Sequence, residues 1–374
     1  MAGKRFMKIL RAISVLVLMV IVVSYAEAVE TNKTTIKDMA GRNVVVPSKP
    51  ARIVALGPGA LRFIVYMNAF NAVVGIEEME KNRQIPAGRP YGISIYEKTP
   101  HLPSIGEGGS GRLPDFEKLI SVRPDIVFVM GFDASNIELI HKKTGLPVVS
   151  LSIGTGAFKK TETYASLRLI GKIMGKEKRA EELINFINKA EQDLIKRTSS
   201  IPEAKRPSVY IGAVSYKGTH GITSTEGFYL PVEWVNGRNV VNELKKQGHI
   251  FIDKEKLLLW NPEIILLDSA GLNLINVDYQ KNLEFYRKLK AVREGRVYTT
   301  MPYNHYNTNI DVAIANAYFA GKVLYPEKFK DIDPVKKADE IFKFFNGIAV
   351  FHVMEKEFKG FKSLVFREGI IDVR

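Results

Sequence analysis

The chain contains no cysteine. That absence excludes disulfide staples, thiolate metal sites and cysteine nucleophiles, and it excludes a lipid anchor carried on an N-terminal cysteine. Histidine is scarce as well, six in 374 residues, and no two stand at close helical spacing. The chain has no Gly-x-Ser-x-Gly elbow, no His-Glu-x-x-His pair and no phosphate loop. Beyond the N-terminus, no apolar run is long enough to cross a bilayer. Without disulfides, stability must come from a buried core, which a chain of this length can build.

The N-terminus carries what the rest lacks. Lys4, Arg5, Lys8 and Arg11 precede an apolar run from Ala12 to Val23, and Ala26-Glu27-Ala28 follows. A basic region, a short apolar stretch and small residues form the pattern of a secretory signal ending at residue 28. An uncleaved anchor is the alternative reading of the same residues. The formal charge is +14 overall, of which the signal segment supplies +3. For an exported chain, an anionic ligand or envelope surface explains this better than nucleic acid does.

Two stretches say nearly the same thing. Asp115 to Val129 reads DFEKLISVRPDIVFV, and Asp253 to Leu267 reads DKEKLLLWNPEIILL, 138 residues later and without a gap. Each reads as an amphipathic helix, a proline break and a buried strand. The period is too long for a solenoid and implies two similar α/β lobes with a cleft between them. The fold class expected is α/β, two Rossmann-like lobes with mostly parallel sheets.

Before the first repeat come a hairpin over Thr34–Val46, a strand over Arg52–Leu56, a helix over Ala60–Asn68 and a strand over Ala72–Ile76. Residues 77–110 read as a long, functional loop region. A helix and a strand close the first lobe near Leu151. Lys176 to Arg197 predicts one helix of about 33 Å, apolar at Ala180, Leu183, Ile184, Ile187, Ala190 and Leu194. A strand over Ser208–Val214 and a loop over Ser215–Gly227 open the second lobe, a strand over Arg296–Thr300 follows the second repeat, and the tail is helical. The divisions expected are 29–160 for the first lobe, 161–200 for a helical linker and 201–374 for the second lobe with its C-terminal helices.

The ordered set IKDMAGRNVVVPSKPARIVAL, LPDFEKLISVRPDIVFV, the long helix, WNPEIILLD and AVREGRVY resembles the periplasmic binding proteins that feed iron-complex, siderophore, haem and vitamin B12 ABC importers. The resemblance covers nearly all of the chain after the signal. It implies two lobes joined by one rigid helix, no enzymatic activity and no cofactor. It implies a small-molecule metal complex as ligand, a membrane permease dimer as partner, and a monomer at the extracytoplasmic face.

Ligands of open parallel sheets sit beyond the carboxyl ends of the strands. That rule selects Gly57, Pro58, Gly59 and Arg62 after the first strand. Arg89 and Tyr91 follow in the long loop, a forked cation beside a ring. Glu107 lies in a glycine-rich stretch whose backbone could approach a ligand. In the second half the rule selects Tyr216, His220 and Ser269. Tyr303, His305 and Tyr306 lie in a run that mixes rings with asparagines, as ligand pockets do. His220 and His305, with Glu107 or Asp268, are the candidates for direct metal ligation, although a metal already wrapped in a chelate fits the sequence better. By position within the resembled family, Glu117 and Glu233 are the acidic residues expected to meet the permease. Glu255 occupies the place of Glu117 in the second repeat.

Overall fold

The structure, a computed structural model, describes residues 33–81, 86–154 and 158–374. The expected signal segment lies outside the described residues. A small antiparallel hairpin, β1 (Lys33–Lys37) and β2 (Asn43–Pro47), precedes the first lobe. That lobe holds the fully parallel strands β3 (Ile53–Leu56), β4 (Val73–Gly75), β5 (Ile126–Met130) and β6 (Val148–Leu151) in the order β4-β3-β5-β6. Its helices are α1 (Ala60–Tyr66), α2 (Pro90–Ile95), α3 (Phe116–Ser121) and α4 (Ala134–Thr144).

Helices α5 (Lys160–Met174) and α6 (Glu177–Thr198) lead out of it. The second lobe carries β7 (Ser208–Gly212), β8 (Ser224–Gly227), α7 (Leu230–Glu233), β9 (Arg238–Asn239), β10 (Gly248–Phe251), α8 (Lys254–Trp260) and β11 (Ile264–Asp268). After these come α9 (Leu272–Lys281), α10 (Leu283–Lys288), α11 (Lys290–Arg293) and β12 (Val297–Thr300). The chain ends with α12 (Ile310–Leu324), α13 (Pro334–Asn346), α14 (Phe351–Phe358), β13 (Ser363–Arg367) and β14 (Ile370–Val373).

The second sheet runs β14-β13-β12-β11-β7-β9. Its four parallel strands, β12, β11, β7 and β9, repeat the topology of the first lobe: the opening strand pairs with a short second strand on one side and with the repeat strand on the other. Strands β5 and β11 start 138 residues apart and hold the same place in their sheets. The helices before them are capped alike. Asp115 accepts a hydrogen bond from the Lys118 N–H, and Asp253 accepts one from the Lys256 N–H. Each cap satisfies an N–H that the helix start leaves without a partner. The antiparallel pair β13–β14 is an addition that covers the outer edge of β12.

Helix α6 buries the six apolar positions that its 3.6-residue period selects. Burial of each Leu or Ile contributes about 1.5–3 kcal/mol, so Ile187→Ala should cost about 2–5 kcal/mol. Packing of the C-terminal helices adds to the connection that α6 makes between the lobes. The almost wholly buried α12 packs on α6 and α7, and α13 packs on α1 and α2. Arg179 on α6 donates to the carbonyls of Tyr66 (2.8 Å) and Phe344 (2.6 Å). Tyr66 donates to Asp311 (2.8 Å), which also accepts from Asn346 (2.7 Å).

Three local expectations need correction. Residues 77–110 are not one long loop, because Pro90 opens the short helix α2 and a 3₁₀ segment follows over Tyr96–His101. The loop expected over Ser215–Gly227 ends in strand β8, which pairs with β10. The tail is not purely helical, since it ends in β13 and β14.

Candidate functional site

A cavity of about 580 Å³ lies between the lobes, beyond the carboxyl ends of β6, β7 and β12. The first lobe lines it with Ile153, Gly154 and Phe158. The second lobe contributes Ser215, Tyr216 and Lys217 after β7, Glu226 on β8, and Gln247, His249 and Phe251 at β10. Tyr303, Asn304, Asn307 and Thr308 enter from the loop after β12. A larger groove, about 880 Å³, is lined by Asp125, Pro147 and Val148 among others. It sits at the amino ends of β5 and β6, the wrong end for a ligand site in a parallel sheet.

One wall of the cavity is a set of rings. Tyr216 stacks on His249 with centroids 4.3 Å apart and planes at 7°. Phe251 meets His249 edge-on at 4.5 Å, and His220 meets Phe251 edge-on at 5.0 Å. The ladder of β8 and β10 places His249 opposite Glu226, and Phe251 opposite Ser224. Residues two apart on a strand share a face, so both rings turn the same way. Hydrogen bonds hold the wall: His249 Nε2 pairs with Ser224 Oγ at 2.8 Å, and His220 Nε2 with the Tyr216 carbonyl at 2.7 Å. Burial, then the neighbouring His220, lowers the His249 pKa. Tyr216 is 46% exposed and Phe251 58%. Large rings left open at a cleft offer contact area to a solute.

The floor is polar. The buried Glu226 accepts from the Tyr303 hydroxyl at 2.5 Å and from Asn304 Nδ2 at 3.2 Å. Burial raises its pKa to about 7, against the lowering effect of those two donors. Asp268, at the end of β11, is also buried; its pKa is raised to about 6 by desolvation despite N–H bonds from Ala270 and Ser215. Lys217 is the cation among the lining residues, exposed, with its ammonium 5.6 Å from the Tyr216 ring centre.

Of the residues selected by sequence, Tyr216 and Tyr303 line this cavity and His220 backs its ring wall. The others lie elsewhere. Arg62 is wholly buried. Its guanidinium donates to Asn309 Oδ1 (2.9 Å) and to the carbonyls of Thr308 (2.7 Å), Tyr306 (2.7 Å), Asn307 (3.1 Å) and His305 (3.4 Å). Arg89 pairs with the buried Glu80 at 2.7 Å, and the Tyr91 hydroxyl donates to the same carboxylate at 2.8 Å. Neither Arg nor Tyr of that pair lines the cavity: both are buried, Arg89 against the Tyr306 ring and Tyr91 on the helix that α13 covers.

The Gly57–Gly59 turn is filled from within. Gly57 N–H donates to Glu77 at 3.0 Å, and the Pro58 carbonyl accepts from Asn307 Nδ2 at 3.1 Å. A Cβ at Gly57, whose φ is +82°, would stand 2.2 Å from the Met130 carbonyl oxygen, so only glycine fits. Tyr306 donates to Glu77 at 3.3 Å and accepts from the Gly109 N–H at 3.1 Å. Burial raises the Glu77 pKa to about 8. His305 keeps exposed surface, yet desolvation of its ring and then the Arg89 and Arg62 charges hold its pKa down to about 4. Glu107 is exposed on a separate groove with Glu78, Met79 and Arg112. Ser269 is buried, donating to the Thr300 carbonyl at 2.7 Å.

Glu117 is exposed in the first turn of α3. Glu233 is only partly exposed, accepts from Asn242 at 2.9 Å, and has its pKa raised by burial. Among the described residues, no three His, Asp or Glu side chains are grouped to hold a bare metal ion.

Sequence reasoning missed Glu226, Gln247, His249, Phe251 and all of the first lobe's contribution, Ile153, Gly154 and Phe158. One signal was available: His249 and Phe251 alternate around Ile250, as two rings on one strand face would.

A sequence model of the periplasmic binding protein family matches residues 70–303. The chain is similar to the molybdate-binding protein MolA of Haemophilus influenzae, 24% identical over 329 residues, covering 83% of this chain and 90% of that protein. It is also similar to an uncharacterized ABC transporter substrate-binding lipoprotein of Bacillus subtilis, 23% identical over 307 residues, covering 81% and 88%. The solved structure of MolA bound to molybdate superposes with a TM-score of 0.67 at 20% identity, covering 84% of this chain and 98% of that one.

Proposed function

Since the chain belongs to the periplasmic binding protein family, the extracytoplasmic and non-enzymatic solute-binding components of ABC importers, we propose that its own solute is a metal–organic complex. A ferric siderophore, haem or a corrinoid would be captured in the inter-lobe cavity. The observation that carries this reading is the ring wall of Tyr216, His249 and Phe251 on a cavity of about 580 Å³. Pockets of this size bury drug-sized ligands, and rings supply flat apolar area at low entropic cost. A chelated metal needs only such surfaces, with hydroxyl and amide groups to orient it, and no protein ligand set is required.

A second reading is an oxyanion, as the name of the Haemophilus relative suggests. The neutral donors Ser215, Asn304, Asn307 and Thr308 favour it. The cavity is far larger than a tetrahedral anion, and its deepest charged group is a carboxyl, so the chelate is preferred.

The protein acts as a monomer that hands its solute to a permease dimer. Docking uses Glu117 on one lobe. On the other, the exposed Glu255 at the matching repeat position is better placed than Glu233, which is engaged with Asn242. The N-terminal segment acts as export signal or anchor.

A thermal-shift screen of residues 29–374 tests the solute. The panel is a ferric trihydroxamate, a ferric tricatecholate, haem, cobalamin, molybdate and free divalent metals. A ligand at a hundredfold over its Kd stabilises by about 2.7 kcal/mol. A shift with one chelate class that is lost in Tyr216→Ala is the expected result. A shift with molybdate alone would replace the chelate by the oxyanion.

A further inference from the structure

We propose that Glu226 determines specificity in this cavity, requiring the solute to present a hydrogen-bond donor or positive charge at the floor and rejecting fully anionic solutes. The inference rests on the chelate reading and narrows it.

Glu226 lines the cavity, yet only 6% of its surface is exposed. Tyr303 takes one lone pair of one carboxylate oxygen, and Asn304 takes one of the other. A carboxylate has about four acceptor positions, so the protein leaves part of this capacity unused on a surface that the solute covers. Among the described residues, no Lys or Arg pairs with Glu226; Lys217, the lining cation, is exposed. The groups facing Glu226 are neutral or acidic. His249 stands opposite on β10, Tyr303 and Asn304 come from the loop after β12, and Asp268 comes from the end of β11. An anion seated here would meet the Glu226 carboxyl, with the buried Asp268 carboxyl behind it adding to the repulsion. A donor would complete the shell of one of them. Charge-assisted hydrogen bonds in such surroundings are worth about tenfold or more in affinity. The cavity therefore has direction: an oxygen-rich face of the solute turns to Lys217 at the exposed end, and an ammonium, hydroxyl or amide N–H reaches Glu226.

Proton linkage follows from the same geometry. The raised pKa of Glu226, about 7, means that part of the population is protonated at neutral pH. A donor-bearing solute stabilises the carboxylate and releases a proton on binding. An anionic solute takes one up.

The test uses a matched pair of probes: a ferric trihydroxamate with a pendant ammonium, and the same chelate with that amine acetylated. Binding to the wild-type protein is measured by calorimetry at pH 7 in two buffers of different ionisation enthalpy. We expect the ammonium form to bind about tenfold or more tighter, with proton release, and we expect Glu226→Gln to abolish both the preference and the release. Equal binding of the two probes by the wild-type protein, or a preference unchanged in Glu226→Gln, overturns the inference and leaves the chelate reading intact. The wild-type proton count needs no variant, so misfolding of Glu226→Gln leaves that arm decisive. Failure of both probes, together with all the chelates in the solute screen, overturns the chelate reading and this inference with it.

Discussion

Two regions of the molecule use the same side chains to opposite ends. In the first lobe Arg89 and Tyr91 converge on Glu80, and Tyr306 reaches Glu77; the two Arg89 and Tyr91 side chains are buried. In the second lobe Lys217, Tyr216 and Tyr303 lie near Glu226 at the cavity, where Tyr216 and Lys217 are open to solvent. Each is a constellation of cation, ring and acid. The first is closed on itself and holds the fold. The second keeps surface and acceptor capacity unused. Composition and local spacing do not separate these cases. What separates them is whether the surrounding protein has already engaged and covered the charged groups.

The sharpest way to break the comparison is to remove a cation from the closed region. Arg89→Met takes the cation from the buried Glu80, and Arg62→Met strands the carbonyls of residues 305–308. Each should cost about 3–5 kcal/mol, read as a lower urea midpoint.

Next comes pH. Glu77 binds its proton more tightly in the folded state, so its stabilising contribution is complete below about 4.5. It fades as pH rises through about 8, by up to about 1.4 kcal/mol per pH unit. Glu77→Gln should flatten that decline in denaturation curves taken from pH 5 to 8. Glu226 gives a similar loss, ending nearer pH 7. Added solute should alter the Glu226 part and leave the Glu77 part in place.

Truncating the open region should do the reverse of truncating the closed one. Tyr216→Ala or Phe251→Ala should leave stability within about 0.5 kcal/mol, as exposed positions do. The same changes should weaken solute binding about tenfold, read by calorimetry. The smallest effect concerns the two repeats. Asp115→Ala and Asp253→Ala each remove an equivalent helix cap and should each cost about 1 kcal/mol.

Much of the scaffold was legible in the sequence. The gapless repeat marks β5 and β11 and their capped helices, and the apolar period of α6 marks its buried face. These are patterns set by neighbours along the chain. The site was less legible. Strand-end geometry selected Tyr216 and Tyr303 but also Arg62, Arg89 and Tyr91, because it specifies which end of a sheet a residue occupies and not what already contacts it. The strand pair β8–β10 was hard to see for a different reason. Its strands, STEG and GHIF, are only four residues long, the first has no large apolar residue, and they are fixed by each other and by the loop after β12.

Arg62 has a consequence for the order of assembly. Its hydrogen-bond partners lie 243 to 247 residues later in the chain. They belong to the loop that carries Tyr303, Asn304, Asn307 and Thr308 into the cavity. Closing so long a loop is slow and cannot precede synthesis of the second lobe. An incomplete chain thus has no finished cavity, and solute capture becomes a report that folding is done. A nascent or half-folded molecule on its way across the membrane carries nothing.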